Sequence, residues 1–548
     1  MQDKSFITLI SICFLLNISC EKKQDFISIS KQSFSQKKKT NLSVEEKQAW
    51  YLKDIVIDTI PGISLRRAKD SLLIDKKGQK VIIAVLDSKI DTNHERLKDY
   101  IWKNSKETPN NGIDDDKNSY IDDVNGWNFL GNKKGENTNY TSYEYTRILK
   151  KYAHLFKDKE EVDIAPKDSL LFNLYTRAKN TYDKRMKYAK SQLRYANMLL
   201  KNRKNLEKGL LKYFPNNNYT KKDLDSLQKI YPNDKELHRY TLIYTNFMQS
   251  KYSQKSMELG KLKAQERIDK LLSLSYNERK LIGDDLEDIN DTNYGNNIVN
   301  DYLDLFVHAT EVSSVITSFK LDNIKIMPIT VFTNGEVTDK DLALAIRYAV
   351  DNGAKVINMS FGKSLSLHED WVQEAFKYAE KHNVLLMSSA GNEYLNLNEI
   401  SKNYPTDIGK NGKEVSDNFL LIGGTSQKLT KNLVYYYSNY GNKHVDIFAP
   451  GENLYVAFPN NKYEYDSGTS LSSATVAGVA ALLYSYYPNL TVSQIKNIII
   501  NSGVKYDVDV EIRVGREKKL VPFSSLSKSG SIVNAFNALL MAEKIANQ

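Results

Sequence analysis

Hydrolysis of an amide by a serine needs a base to take the hydroxyl proton, a carboxylate to hold that base, and donors for the oxyanion of the tetrahedral intermediate. Residue types able to fill these parts stand at punctuated positions of this 548-residue chain. Asp87 ends the apolar run Val81-Ile-Ile-Ala-Val-Leu86, and His308 opens the segment His308-Ala-Thr-Glu-Val-Ser-Ser314. Asn392 ends Ser388-Ser-Ala-Gly391-Asn392 behind another apolar run. Ser470 follows Gly468-Thr469 and opens a stretch of small residues from Ser472 to Ala481. Singly each has an ordinary structural use: a helix cap, a surface histidine, a Gly-Asn turn, a turn serine. Their settings are nevertheless suited to chemistry. The carboxyl end of a buried parallel strand is where open α/β sheets place their sites, and a serine at a helix start gains from the local dipole.

A second cluster would suit a hard cation. Asp114, Asp116, Asn118 and Asp122, with Asp123 beside them, set oxygen ligands at mostly alternate positions, and Tyr120 could offer a carbonyl. Against calcium, Ser119 stands where the sharp turn of such a loop wants glycine, and no glutamate follows at the twelfth position. An acidic surface turn explains the same residues, so no metal or other cofactor is required and calcium stays open as a structural ion.

The elements that must position these groups follow from periodicity. Continuous apolar runs at Val81–Leu86, Val356–Met359, Val384–Met387 and Phe419–Ile422 predict strands buried on both faces of a parallel sheet. Between them, Asp339–Asn352 and Trp371–His382 carry apolar residues at three-to-four spacing and predict helices. Strand–helix alternation of this kind predicts an α/β layer architecture. Residues 140–282 differ: they are rich in Lys, Tyr and Leu and poor in Gly. Leu171, Tyr175, Ala178, Tyr182, Met186, Ala189, Leu193, Ala196 and Leu200 predict one long amphipathic helix, punctuated by Gly209 and Pro215. A capping signal at Thr220–Asp223 and a helical stretch at Met257–Leu272 follow, which together predict an all-α insertion.

Composition sets the outer bounds. A 41% hydrophobic and 26% charged chain is that of a globular protein. The net charge of +10 is a dilute excess of 77 basic over 67 acidic residues, which describes a solvated lysine-rich surface and gives no support to nucleic-acid binding. The two cysteines, Cys13 and Cys20, leave the rest of the chain without a disulfide framework. Lys4 and the apolar run Phe6–Ile18 have the length of an export signal and are too short to span a bilayer. Ser19-Cys20 and the lysine-rich stretch behind it resemble a bacterial lipoprotein signal, which implies lipidation of Cys20 and anchoring in the cell envelope; plain secretion is the alternative.

Four segments together carry a family resemblance. Ala84-Val-Leu-Asp87-Ser-Lys-Ile-Asp91, His308-Ala-Thr-Glu-Val-Ser-Ser314, Ser388-Ser-Ala-Gly-Asn392 and Gly468-Thr-Ser470-Leu-Ser-Ser-Ala-Thr-Val-Ala-Gly478 resemble, in order, the motifs of the subtilisin-like serine peptidases (subtilases, peptidase S8). The order Asp, His, Ser is that of subtilisin and differs from the order in chymotrypsin. The resemblance implies a three-layer α/β/α fold, an endopeptidase acting on polypeptides, a triad of Asp87, His308 and Ser470, and an oxyanion donor at Asn392. It implies that Ser360, Phe361 and Gly362, with Ala390 and Gly391, bind the substrate backbone and the residue before the cleaved bond. It also makes His94 a structural position. The flanks Ile101-Trp-Lys-Asn104, Gly126-Trp-Asn-Phe129 and Tyr294-Gly-Asn296 are similar to secreted or lipoprotein subtilases of Bacteroidetes type. Departures from the motif are Ala309, Glu311, Ser313, Ser314, Leu471 and Ala474, and of these Glu311 puts a carboxylate near His308.

The expected organisation is a signal peptide at 1–19, a flexible tether at 20–49, peptidase parts at 50–132 and 283–548, and the helical insertion at 133–282 between them. The insertion is expected to gate substrate access or dock a partner. A reading of another class stays open: a catalytically silent envelope protein that binds through the insertion.

Overall fold

The computed structural model describes residues 42–248, 253–400 and 403–548. The export segment, Cys20 and most of the expected tether lie outside the described residues. The end of that tether is ordered: Val44–Gln48 forms a short helix (α1) closed by a capping box between Ser43 and Glu46. Trp50 behind it is fully buried and donates to the Asn453 carbonyl at 3.3 Å.

A nine-stranded sheet carries the fold. In chain order its strands are β1 (Val81–Asp87), β2 (Trp127–Asn128), β3 (Ile324–Thr330), β4 (Ala354–Met359), β5 (Leu385–Ser389), β6 (Phe419–Thr425) and β7 (Ile447–Pro450), then β10 (Val504–Lys505) and β13 (Ser531–Ile532). Two hairpins stand apart from it, β8 (Leu454–Phe458) with β9 (Lys462–Asp466), and β11 (Asp509–Val514) with β12 (Glu517–Pro522). The sheet order is β10-β13-β7-β6-β5-β4-β1-β3-β2, parallel except for the β10–β13 pair. β1 sits between β3 and β4, so the direction of winding reverses at its carboxyl end. Such switch points open a crevice for ligands.

The four apolar runs are all strands, extended by one to three residues, and β1 is buried over nearly its whole length. Helices cover both faces, as three layers require. α10 (Asp339–Asp351) packs on α11 (Glu369–Lys381). On the other side α12 (Thr469–Tyr486) lies across β1, β4, β5, β6 and β7 and meets α9 (His308–Thr317), α13 (Val492–Asn501) and α14 (Ala535–Ala546), while α14 in turn packs on α2 (Leu65–Leu72). α12 is buried on all sides, which its small residues permit. A Cβ at Gly478 would lie 2.3 Å from the Phe319 ring of the segment behind α9, so any larger residue there would push α9 and α12 apart.

A run of helices stands between β2 and β3, where the insertion is expected. It comprises α3 (Glu144–Phe156), α4 (Ser169–Leu210), α5 (Lys221–Ile230), α6 (Lys235–Phe247), α7 (Gln254–Glu266) and α8 (Arg279–Ile282). The 42 residues of α4 make a rod about 63 Å long at 1.5 Å per residue. Its far end is covered by α5, α6 and α7 around Leu206, Leu210, Leu224, Leu237 and Phe247. Its near end packs with α3 around Tyr145, Ile148, Phe156 and Tyr175, and this cluster takes in Leu365 from the segment after β4. The join is otherwise ionic. Arg147 binds Glu144, the Glu336 carbonyl at 3.2 Å and the Val337 carbonyl at 3.0 Å, while buried Lys363 pairs with Glu144 at 3.3 Å and Asp339 at 2.8 Å.

Breaking a buried charge network by removing one partner strands the others. Arg147→Met is therefore expected to destabilise the protein by about 3–5 kcal/mol, measured by urea unfolding in a Ser470→Ala background that removes the expected nucleophile.

Candidate active site

Asp87, His308, Asn392 and Ser470 come from four different elements, and the structure gathers their surroundings at the carboxyl edge of the sheet. Asp87 is the last residue of β1 and is fully buried. Its two carboxylate oxygens lie 3.0 and 2.9 Å from Nδ1 of His308, the first residue of α9, and Oδ1 also accepts from the Ser88 N–H at 2.6 Å. A carboxylate facing Nδ1 fixes a proton there, so Nε2 is the acceptor whenever the ring is neutral, a form that grows as pH rises towards about 9. The imidazole side chain keeps 32% of its surface accessible, so that acceptor can be reached. Burial disfavours a charge on His308, but Asp87 outweighs it, with help from Glu311 and Asp466, and its pKa rises to about 9.

Ser470 occupies the first turn of α12. Its Oγ donates to the Ser360 carbonyl at 3.1 Å, and Ser360 Oγ donates back to the Ser470 carbonyl at 3.0 Å. Asn358 holds this exchange in place: its Nδ2 donates to Ser360 Oγ at 2.8 Å, and its Oδ1 accepts from Ser473 at 2.6 Å. The structure therefore ties Ser470 to the end of β4, and among the described residues no hydrogen bond runs from Ser470 Oγ to His308. The hydroxyl sits on a single-bond rotor, and changing its partner takes one step between staggered wells.

Asn392 follows β5 by three residues. Its Oδ1 accepts from the Thr469 N–H at 3.0 Å and from Thr469 Oγ1 at 3.1 Å, while Thr469 Oγ1 accepts from the Gly391 N–H at 3.1 Å. An oxygen is the only amide atom that accepts, so this network orients the side chain and leaves Nδ2 as a donor. The Ser470 N–H is one of the first four donors of α12, which have no acceptor within the helix. Both donors flank Gly468: a Cβ built there would sit 3.7 Å from Asn392 Nδ2 and 3.8 Å from Ser470 N. Gly391 keeps the turn possible, because its φ is +101° and a Cβ there would lie 2.5 Å from Asn439 Nδ2.

The proposed backbone-binding residues line the same cleft. Ser388 Oγ donates to the Met359 carbonyl at 2.8 Å and the Phe361 carbonyl at 3.0 Å, joining β5 to Ser360-Phe361-Gly362, and Ala390 is buried beside them. Phe332, just after β3, lies edge-on to both His308 (6.1 Å between ring centroids) and Phe361 (5.4 Å). Sequence reading missed it; an aromatic residue two positions past a parallel strand was its only signal. His94 is fully buried, lies edge-on to Tyr463, and its Nδ1 accepts from the Arg96 N–H at 3.0 Å, which is a packing role.

The carboxylate at Glu311 is buried one helical turn beyond His308, within reach of Asp466 at the end of β9. Burial is the main force raising its pKa, His308 opposes it, and Asp466 adds to it, giving about 7. This second acid beside the imidazole is absent from the motif that the segment otherwise resembles.

The acidic loop is only partly what the spacing suggested. Carboxylate oxygens of Asp114 and Asp116 approach within 4.8 Å of each other and of Glu107, which the sequence reading had not included. Asp122 turns away and accepts from the Asn111 and Gly112 N–H groups at 3.1 and 3.0 Å, and Asn118 Oδ1 accepts from the Tyr120 N–H at 2.8 Å. Asp123 is buried against Tyr348 (2.7 Å) and Asn104 (2.8 Å), and burial lifts its pKa to about 6. The loop oxygens are thus largely engaged by the loop's own N–H groups.

This chain belongs to the subtilase family, whose peptidase S8 model matches residues 78–519. It is 31% identical over 222 residues to a thermophilic serine proteinase of Bacillus sp. (strain AK1), covering 38% of this chain and 49% of that one. It is 33% identical over 181 residues to thermitase of Thermoactinomyces vulgaris, covering 33% of this chain and 58% of that one. The chain thus spans about half the length of the first relative and less than two thirds of the second. A solved lanthipeptide protease is 25% identical, with a TM-score of 0.34 over 43% of this chain and 75% of that one.

A carboxyl whose folded pKa lies above its ordinary 4.5 weakens the fold when ionised, and the penalty grows from about pH 4.5 to about pH 7. Glu311→Gln, in a Ser470→Ala background, is expected to unfold at a higher temperature than its parent at pH 8. The difference should close below pH 4.5, where both states hold the proton. His308 should titrate at lower pH in the variant by NMR, because one negative neighbour is gone.

Proposed function

We propose that the chain is a serine endopeptidase acting on polypeptides through an Asp87–His308–Ser470 triad. The observation that carries this reading is the fully buried Asp87 carboxylate bonded to Nδ1 of His308. Membership of the subtilase family supports it.

In the proposed reaction Ser470 Oγ turns from the Ser360 carbonyl and attacks the peptide carbonyl carbon. Its proton passes to Nε2 of His308, and Asp87 stabilises the imidazolium. The oxyanion is held by Asn392 Nδ2 and the Ser470 N–H. The C–N bond then breaks, the imidazolium proton goes to the leaving amine, and an ester to Ser470 remains. Water, deprotonated by His308, attacks that ester; the acid leaves as the Ser470 C–O bond breaks, and His308 returns the proton to Ser470 Oγ. Ser360-Phe361-Gly362 binds the residues before the cleaved bond by strand addition, so recognition of the backbone is largely sequence-tolerant. A silent binding protein would have no need of these groups in register, and nothing in the site favours that reading.

Export and lipid anchoring through Cys20 belong to the same proposal. Their support is the sequence of residues 1–20 alone, since no described helix is long and apolar enough to cross a membrane.

An aryl phosphonate is expected to label the folded protein once, at Ser470, and to miss Ser470→Ala; a folded protein that stays unlabelled sinks the triad. Asn392→Ala should lower kcat by about 10²–10³ with little change in KM. In bacteria fed a labelled fatty acid, the wild-type chain should take up label and Cys20→Ala should not. Equal labelling of the two would overturn lipidation.

A further inference from the structure

Ser360-Phe361-Gly362 does not end in solvent. The next residue, Lys363, is pinned by paired backbone bonds to Tyr404 (2.8 and 2.9 Å) and by its ion pairs to Glu144 and Asp339. Exposed Ser364 then reaches the rim of a cavity of about 190 Å³ whose other walls come mainly from the insertion. Four residues of extended chain separate Ser364 from Ser360, roughly 13 Å at about 3.3 Å per residue. A polypeptide laid along this strand from Ser470 would bring its fourth or fifth residue before the cleaved bond to that cavity.

The lining has a definite chemistry. Tyr143 and Tyr145 stack at 5.1 Å with ring planes 21° apart and form an aromatic wall. Arg185 projects from α4, and Arg267 comes from a single π-helical turn, Arg267–Leu271, that follows α7. The extra residue of such a turn re-aims side chains, and these turns are frequent at functional sites. Among the described residues neither guanidinium forms an ion pair with a carboxylate; Arg267 instead hydrogen-bonds Tyr143. Glu336 is the one acid in the lining. Its Oε2 accepts from the Glu144 N–H at 2.8 Å, and its charge faces Arg147 and Lys363. Two cations therefore stand against one anion in the lining of this cavity.

We propose that this cavity is a specificity subsite, contributed by the insertion, for an acidic side chain four or five residues before the cleaved bond. The proposal rests on the peptidase reading for the direction of the chain. Guanidinium groups present a planar fork that matches a carboxylate, and a stacked tyrosine pair suits the stem of a Glu side chain. Tyr188, one helical turn beyond Arg185, is shared with a second groove of about 350 Å³ between α4 and α7, lined by Tyr195 and Met257. The path open to a long substrate thus continues along the insertion.

Two readouts on the full-length folded chain test it. In the Ser470→Ala protein, fluorescent decapeptides with Glu, Gln or Lys at the fourth or fifth place before a common cleavage site are titrated by anisotropy. The Glu peptide is expected to bind about tenfold more tightly than the Gln peptide at low salt, with the gap narrowing as salt rises. Arg185→Gln with Arg267→Gln should bring the ratio close to one without weakening the Gln peptide. Equal binding of Glu and Gln peptides by the parent, or a preference that survives the double variant, overturns the subsite. In the wild-type background the same preference should appear in kcat/KM. Loss of hydrolysis with retained Glu preference in binding would sink the peptidase reading and leave the subsite standing.

Discussion

A single buried negative charge organises the cleft. Asp87 has no accessible surface, and the imidazole of His308 is the one partner given to both of its oxygens. An unpaired carboxylate at such depth would be protonated or would destabilise the fold, so α9 must present His308 at this spot. α9 is in turn held by α12, through the close approach of Gly478 to Phe319. The same α12 carries Ser470 at its start. Packing of one helix pair thereby sets the relation between His308 and Ser470, 162 residues apart in the chain.

The two donors beside Gly468 depend on the same helix start by a different route. The Thr469 N–H and hydroxyl are both donated to Asn392, which turns its amide nitrogen outward and leaves the next N–H of α12 unengaged. The helix end thus supplies one donor directly and aims the other. This arrangement needs Gly391 at positive φ, with no room for a Cβ, so the Gly-Asn pair is a steric requirement of the site as much as a turn.

Much of this was legible in the sequence because burial leaves continuous apolar runs and punctuates them where chemistry sits. Asp87 and Ser470 could be found because one ends a strand and the other lies at a helix start, Asn392 because it closes a Gly-Asn turn behind a strand, and the long helix α4 because its apolar stripe repeats over many turns. β3 escaped: Pro328 interrupts it, and its apolar residues alternate with Lys325 at one end. Proline is tolerated there because the N–H of Ile326, two residues earlier, points away from β1 to the Tyr100 carbonyl, so Pro328 on the same side breaks no bond to β1. The acidic loop misled in detail, since alternate spacing predicts convergence only for an extended segment. Asp122 and Ser119, both at positive φ, turn the chain so that Asp122 serves Asn111 and Gly112 while Glu107 joins the cluster from outside. The partners of Glu311 were hidden for a similar reason: Asp466 is 155 positions away and meets it only when β9 folds back over α9.

The insertion raises a question of mechanics, because a rod 42 residues long joined at one end acts as a lever on its support. An apolar joint alone would resist separation but allow sliding, since apolar contacts have little directional preference. Here Leu365 supplies the apolar contact, while Glu144, Arg147, Lys363 and Asp339 supply bonds that are satisfied in one orientation only. Buried ion networks of this sort add little net stability over an apolar equivalent, and their best-attested use is to define register. Lys363 is both a member of that network and the residue that follows Gly362. A tilt of α3 and α4 would therefore be transmitted through Lys363 to the strand that faces Ser470. The same atoms that fix the insertion's orientation fix the edge of the cleft, which makes the cleft's geometry a property of the insertion as well as of the sheet.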